Sequence, residues 1–207
     1  MRLLTHFDQP VDDAQHSFRR ILKALSEPGV LVSLPVVTGW QPLNPATTSI
    51  LLTLADQDTP LYLDASIYLA SPSDVEISPH SDSDTVQQNL RFHTGAPLVT
   101  SSATANFALF GETVTVEQLA TCPTGDELSP EHSATVMIQT DSLHHGVPLR
   151  LRGPGIEHSR TIAPQLPAAV LDYLLNRPVA FPAGLDFLLT CGENLMAIPR
   201  TTHVEVC

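Results

Sequence analysis

The chain has 207 residues, of which 43% are hydrophobic and only 15% are charged, with a formal charge of −12 from 22 acidic and 10 basic residues. This length suits one domain with a continuous core. The scarcity of Lys and Arg disfavours nucleic-acid binding, which needs clustered cations to displace counterions from phosphates. The low share of charge, against roughly 25% in average soluble domains, favours burial of some surface against another chain.

The sequence predicts neither a signal peptide at the N-terminus nor a membrane-spanning segment. The first fifteen residues contain no apolar stretch typical of a signal peptide, and the longest apolar runs, at residues 30–37 and 50–55, are too short to cross a bilayer. Three widely spaced cysteines, Cys122, Cys191 and Cys207, indicate reduced thiols rather than a disulfide framework. We therefore expect a cytoplasmic protein.

The first predicted element is an amphipathic helix. Its apolar face has the spacing i, i+3, i+4, i+7 and consists of Phe18, Ile21, Leu22 and Leu25. Asp12 and Gln15 resemble a capping box at its start, and the Pro28-Gly29 pair ends it. The single lysine, Lys23, lies opposite this apolar face, on the side expected to meet solvent.

Helices and strands then alternate along the chain. The predicted elements are a strand at 30–37, a helix from Asn44-Pro45 to Leu54, a strand at 61–63, a helix at about 84–92, a strand at 107–110, a strand or short helix at 113–119, paired strands at 135–143 and 149–151, a helix at 167–175, and strands at 185–189, 195–198 and 203–206. Residues 71–83 and 122–131 are predicted loops. This order favours a single α/β domain over residues 1–207, with a mixed, mostly parallel sheet flanked by helices.

Two segments are candidates for binding an anion or another chain. Gly153-Pro154-Gly155 follows a predicted strand beside Arg152, so its backbone N–H groups could cradle a phosphate. A plain tight turn is the alternative, because the pattern matches no nucleotide-binding loop and Pro154 lacks an N–H. Arg200, beside two threonines and a histidine, is the second candidate; the alternative there is a structural ion pair with a carboxylate such as Asp186.

The sequence predicts no catalytic residue, no cofactor and no metal ion. Its nine histidines fall in no metal-binding spacing, and no nucleophile-elbow pattern is present. A pyridoxal-phosphate enzyme needs a lysine to form its Schiff base. Lys23 lies on a solvated helix surface, so we do not expect this chemistry.

Several segments, taken together, resemble the PhnH family, the H subunit of the carbon–phosphorus lyase core complex. They are residues 18–29 (FRRILKALSEPG), 40–44 (WQPLN), 51–56 (LLTLAD), 90–94 (LRFHT), 130–131 (PE), 155–156 (GI), 181–186 (FPxGxD) and 197–202 (AIPRTT). Each segment is short, and their order along the chain is what makes the resemblance specific.

The resemblance implies a fold similar to the large domain of pyridoxal-phosphate transferases, without that cofactor. It also implies a non-catalytic subunit that supports formation of ribose 1-methylphosphonate 5-triphosphate from ATP and methylphosphonate. The implied partners are the G, I and J subunits of the core complex, and a homodimer is a further expectation. Two other interpretations stay open at this point: a regulatory module that binds a phosphonate or nucleotide intermediate, and an enzyme that acts alone on such a substrate.

Overall fold

The computed structural model describes residues 3–4, 6–34, 38–68 and 79–207. The helices are α1 Pro10–Ser26, α2 Pro45–Leu54, α3 Pro79–Thr94, α4 Val116–Thr121 and α5 Ala168–Leu175, with 3₁₀ turns at Ala65–Tyr68, Ser102–Thr104 and Pro130–His132. The strands are β1 Leu31–Ser33, β2 Leu61–Leu63, β3 Leu98–Val99, β4 Phe107–Phe110, β5 Thr135–Gln139, β6 Leu149–Arg152, β7 Arg160–Ile162, β8 Asp186–Cys191, β9 Asn194–Ile198 and β10 His203–Val206.

Seven strands form the central sheet in the order β1-β9-β8-β5-β4-β2-β3. The run from β3 to β8 is parallel throughout, whereas β9 is antiparallel to both of its neighbours, β8 and β1. Parallel strands need helical crossovers, which place helices on the faces of the sheet. The predicted α/β architecture, with a mixed, mostly parallel sheet flanked by helices, is confirmed.

The inner strands are buried on both faces. Leu109, Met137 and Leu188 pack with α1, α2 and α3 on one face, while the alternate side chains of the same strands pack with α4 and α5 on the other. All three residues are fully buried. Because both faces are covered, the inner strands consist of nearly continuous apolar residues rather than an alternating pattern.

Local capping residues set the starts of two helices. Asn44 caps α2 by accepting a hydrogen bond from the Thr47 backbone N–H at 2.8 Å, with Pro45 in the first turn, as predicted. The segment at 113–119, predicted as either a strand or a short helix, contains the start of the helix α4. Thr115 and Gln118 form a reciprocal capping box at its start.

The predicted apolar face of α1 is wrong in part. Ile21 is 2% exposed and Ala24 is fully buried, but Phe18 and Leu22 are 49% and 54% exposed. Ser17, one turn before Ile21, is also fully buried. The buried face is therefore rotated toward small residues, because α1 packs against α2 and β9 and small side chains permit a close approach. The helix begins at Pro10 after Gln9, so the predicted capping box is also wrong; it ends at Ser26, ahead of Pro28-Gly29, as expected.

The predicted pairing of strands at 135–143 and 149–151 is wrong. β4 and β8 occupy both edges of β5, so no free edge is left for β6. Instead, β6 lies in the middle of a separate antiparallel sheet of order β10-β6-β7. Buried side chains of this small sheet join the core on the α4 and α5 side.

Two sequence predictions fall partly outside the described residues: the end of the strand at 30–37 and most of the loop at 71–83. Residues 79–83 belong to α3, which begins earlier than the helix predicted from about residue 84. Within the described ranges, no helix has both the length and the apolar character needed to cross a bilayer.

Substitution of adjacent residues on α1 tests the orientation of this helix. Ile21→Ala should lower the free energy of unfolding by about 2–5 kcal/mol, because it leaves a cavity in the core. Leu22→Ala should change it by no more than about 0.5 kcal/mol, since that side chain is half-exposed. Urea unfolding of the isolated chain measures both values, and equal losses would contradict the observed orientation.

Candidate functional site

Arg200 lies in the turn between β9 and β10 and forms an ion pair with Asp186. The guanidinium donates to the carboxylate from Nε at 3.1 Å and from Nη2 at 2.5 Å, and the Arg200 backbone N–H donates to Oδ1 at 2.7 Å. The register of β8 and β9 pairs Phe187 with Ile198, which brings the start of β8 beside the end of β9. The ion pair that the sequence analysis gave as the structural alternative is thus confirmed.

The other guanidinium donors of Arg200 are also used within the chain. Nη1 donates to the carbonyl oxygens of Pro130 at 2.8 Å and Pro182 at 3.3 Å, and Nη2 donates to Ser133 Oγ. All five N–H groups of the side chain therefore have acceptors. The side chains of Arg200 and Asp186 are only 15% and 19% exposed. This arrangement joins three chain segments, and an anion would have to displace Asp186 to reach the guanidinium.

An open recess of about 350 Å³ lies beside this ion pair. Pro130, Glu131, Phe181 and Thr201 are among the residues that line it, together with Arg200. Phe181 is 69% exposed although its ring is apolar. The recess therefore combines a fully hydrogen-bonded ion pair with an exposed aromatic side chain.

The Gly153–Gly155 segment forms a tight turn between β6 and β7, and its glycines pack against other backbone segments. A Cβ on Gly153 would lie 2.8 Å from the Thr201 carbonyl oxygen, and one on Gly155 would lie 1.9 Å from the Ser26 carbonyl oxygen. The turn closes through a hydrogen bond from the Ile156 N–H to the Gly153 oxygen at 3.2 Å. Close approach and positive φ angles explain both glycines without a ligand.

The four predicted site residues are only partly brought together. Gly153 contacts the turn that carries Arg200, but Gly155 contacts the end of α1. Arg152 is half-exposed, with its nearest carboxylate oxygen, on Glu205, at 3.9 Å, whereas Arg200 pairs with Asp186. The two guanidinium groups thus have different carboxylate partners. A role of these four residues in binding an anion or another chain stays a prediction.

A second feature, which was not predicted from the sequence, is a cleft of about 440 Å³ at the carboxyl ends of the parallel strands. This is the edge where α/β proteins commonly bind ligands. Its charged lining residues are Glu112, just after β4, and Asp141, just after β5. Polar residues that follow buried strands were the signal in the sequence. Since the described lining has acidic but no basic side chains, it disfavours phosphate or phosphonate ligands.

Hydrogen bonds within the chain order the walls of this cleft. The Asp141 N–H donates to Glu112 Oε1 at 3.0 Å, and the Asn44 N–H donates to Gln139 Oε1 at 2.7 Å. Burial, followed by the nearby Asp141 carboxylate, raises the pKa of the Cys191 thiol above its usual value. That thiol is therefore protonated at neutral pH and is a poor nucleophile.

Lys23 lies on the solvent side of α1 and pairs with Glu27 at 2.6 Å, with 46% of its side chain exposed. This is the solvated position that the sequence indicated, and Lys23 is not among the residues lining the cleft. Across the described part of the chain, no group of three or more His, Cys, Asp or Glu residues is arranged to hold a metal ion.

A family model described as bacterial phosphonate metabolism protein (PhnH) matches residues 5–205. The chain belongs to the PhnH family. It is 32% identical over 201 residues, covering 96% of this chain and 94% of the relative, to the alpha-D-ribose 1-methylphosphonate 5-triphosphate synthase subunit PhnH of Rhizobium meliloti (strain 1021). It is 29% identical to a putative C-P lyase subunit protein, HtxG, of Stutzerimonas stutzeri, over 93% of this chain and 86% of that protein. The family resemblance seen in the sequence is confirmed.

Truncation of Arg200 should destabilise this PhnH-family protein strongly. Arg200→Ala leaves Asp186 as an unpaired, mostly buried carboxylate and should cost about 3–5 kcal/mol of unfolding free energy. Arg200→Lys keeps the charge but loses most of the directed hydrogen bonds, so we expect an intermediate cost. Chemical denaturation measures both. Arg152→Ala, at a half-exposed arginine, should change stability by no more than about 1 kcal/mol; a similar loss at both sites would refute the structural role of Arg200.

Two glycines with positive φ angles provide a test of the turn after β6. A methyl group at Gly192 meets nothing within 4 Å, so Gly192→Ala should cost only the backbone strain, about 1–2 kcal/mol. Gly155→Ala adds a collision with the Ser26 carbonyl oxygen and should lower the melting temperature clearly further. Differential scanning calorimetry compares the two, and an equal shift would show that the close approach is not rigid.

Proposed function

We propose that this chain is a non-catalytic subunit of the bacterial synthase that forms ribose 1-methylphosphonate 5-triphosphate from ATP and methylphosphonate within the carbon–phosphorus lyase system. The observation that carries the proposal is the match, over nearly the full length of both chains, to a protein named as the PhnH subunit of that synthase. The second relative, named as a putative C-P lyase subunit, supports the same system.

The geometry of the chain supports a role that depends on partners. A reaction between a triphosphate and a phosphonate calls for converging cations at the substrate. In the described residues, Arg200 is fully engaged by Asp186 and backbone carbonyls, and the cleft is lined by Glu112 and Asp141. We infer that other subunits supply the groups that bind the substrate anions.

The finer parts of the proposal concern partners, fold and location. We propose the G, I and J subunits as partners, because the relatives are named as subunits. Self-association as a homodimer in their absence is a further proposal, taken from the family resemblance. We also propose that residues 1–207 form one domain with the fold of the large domain of pyridoxal-phosphate transferases. The seven-stranded sheet, in which only β9 runs against the others, supports this. A cytoplasmic location is proposed from the cysteine usage.

Growth and co-purification test the proposed function. A strain lacking this chain should grow on phosphate but not on methylphosphonate, and the intact gene should restore growth. A tagged chain expressed from its native locus should recover the G, I and J homologues from phosphate-starved cells. Growth of the deletion strain on methylphosphonate, or turnover of ATP and methylphosphonate by the isolated chain alone, would contradict the proposal.

A further inference from the structure

Two large apolar side chains at or near the Arg200 recess are exposed to solvent. Leu128, at the tip of the loop between α4 and β5, is 94% exposed, and Phe181, at the wall of the recess, is 69% exposed. We call this surface the acidic corner and define it by Asp126, Glu127, Leu128, Glu131 and Phe181. Exposed apolar groups rimmed by polar residues mark sites of interaction with other proteins.

The backbone that carries the acidic corner is held by hydrogen bonds. Asp126 Oδ1 accepts from the N–H groups of Leu128 and Ser129, both at 2.8 Å. The Gly184 N–H donates to the Thr124 oxygen at 2.8 Å and ties this loop to the segment that carries Phe181. Together with the bonds of Arg200, these contacts hold the backbone segments that carry both apolar side chains. A preorganised surface loses little conformational entropy when it binds.

The charge around these apolar groups selects the chemistry of the partner. Asp126, Glu127 and Glu131 are exposed acids, and the two N–H groups on Asp126 hold the pKa of its carboxyl below the usual value. Arg200 does not offset them, because it is paired with Asp186. Glu131 also lies 4.0 Å from the imidazole of His132. A complementary surface therefore presents arginine or lysine around an apolar side chain.

The position of the acidic corner leaves the cleft accessible. Asp186 is the first residue of β8 and lines the recess beside the acidic corner, whereas Cys191 is the last and lines the cleft. Six residues of strand separate the two ends by roughly 16 Å.

Three of the segments that carry the family resemblance, at residues 130–131, 181–186 and 197–202, meet at the corner through Arg200.

We propose that the acidic corner docks another protein subunit of the phosphonate enzyme, through a segment that inserts an apolar side chain beside Phe181 and Leu128 and flanks it with arginine or lysine. This inference rests on the proposed function, since it takes the partner from the same assembly. Phe181 is the expected centre of the contact, because aromatic side chains next to a recess contribute most to binding energy.

The docking surface is tested by co-expressing the other subunits with variants of this chain and measuring whether they assemble. Phe181→Ala and Leu128→Ala should each weaken binding of the partner subunit at least about tenfold. Phe92→Ala is the matched control, because Phe92 is 62% exposed but lies on α3, on the opposite face of the sheet from α4 and α5. Glu127→Lys combined with Glu131→Lys should also weaken binding, and the loss should shrink as salt rises. Size-exclusion chromatography and titration of the purified subunits provide the readouts.

The outcomes separate the two proposals. If the intact chain assembles and the Phe181, Leu128 and charge-reversal variants assemble equally well, the docking surface is refuted and the proposed function stands. If the intact chain never assembles with the other subunits, the proposed function fails first and the docking surface with it. If the variants abolish only self-association of the isolated chain, the occupant is a second copy, which overturns the proposed partner. Leu128→Ala guards against misfolding, because its side chain is almost entirely solvent-exposed.

Discussion

Parallel pairing of β4, β5 and β8 at the centre of the sheet is the constraint on which the remaining architecture depends. Parallel neighbours cannot be joined by a hairpin, so the chain must cross over a face of the sheet between them. The crossovers place α2 and α3 over one face, where α1 also packs, and α4 and α5 over the other, so both faces of the inner strands become core. The same pairing closes both edges of β5, which forces β6 into a second sheet.

Electrostatics favour the partner-dependent role proposed for this fold. The chain carries 10 basic residues against 22 acidic ones. Arg200, which lies beside the recess, is engaged in hydrogen bonds that stabilise the fold. Arg200 joins the start of β8 to the loops at Pro130 and Pro182. The ion pair makes that corner rigid while it leaves acidic and apolar side chains exposed around it. A surface of this kind suits contact with a basic protein surface better than binding of a phosphorylated substrate.

The features in which the structure differs from the predicted one share a physical origin. The spacing of Phe18, Ile21 and Leu22 predicts a helix, but the buried side is decided by the close approach of α2, which small residues permit. Nearness in sequence favoured pairing of β5 with the following strand, although its observed partners are β4, reached through the α4 crossover, and β8, about 50 residues further along the chain. The cleft was missed because its lining residues, such as Asn44, Glu112 and Cys191, are far apart in the sequence.

The sequence by itself determined the alternating elements, the caps at Asn44 and the break at Pro28-Gly29, the solvated position of Lys23, and the resemblance to the PhnH family. These depend on local periodicity, backbone restrictions and residue identity, which a short window of chain contains. It also named Asp186 as a carboxylate that could pair with Arg200. Only the tertiary structure decided the buried face of α1, the two sheets and the convergence of three segments on Arg200. Those features depend on contacts between residues distant in the chain, whose geometry no local pattern contains.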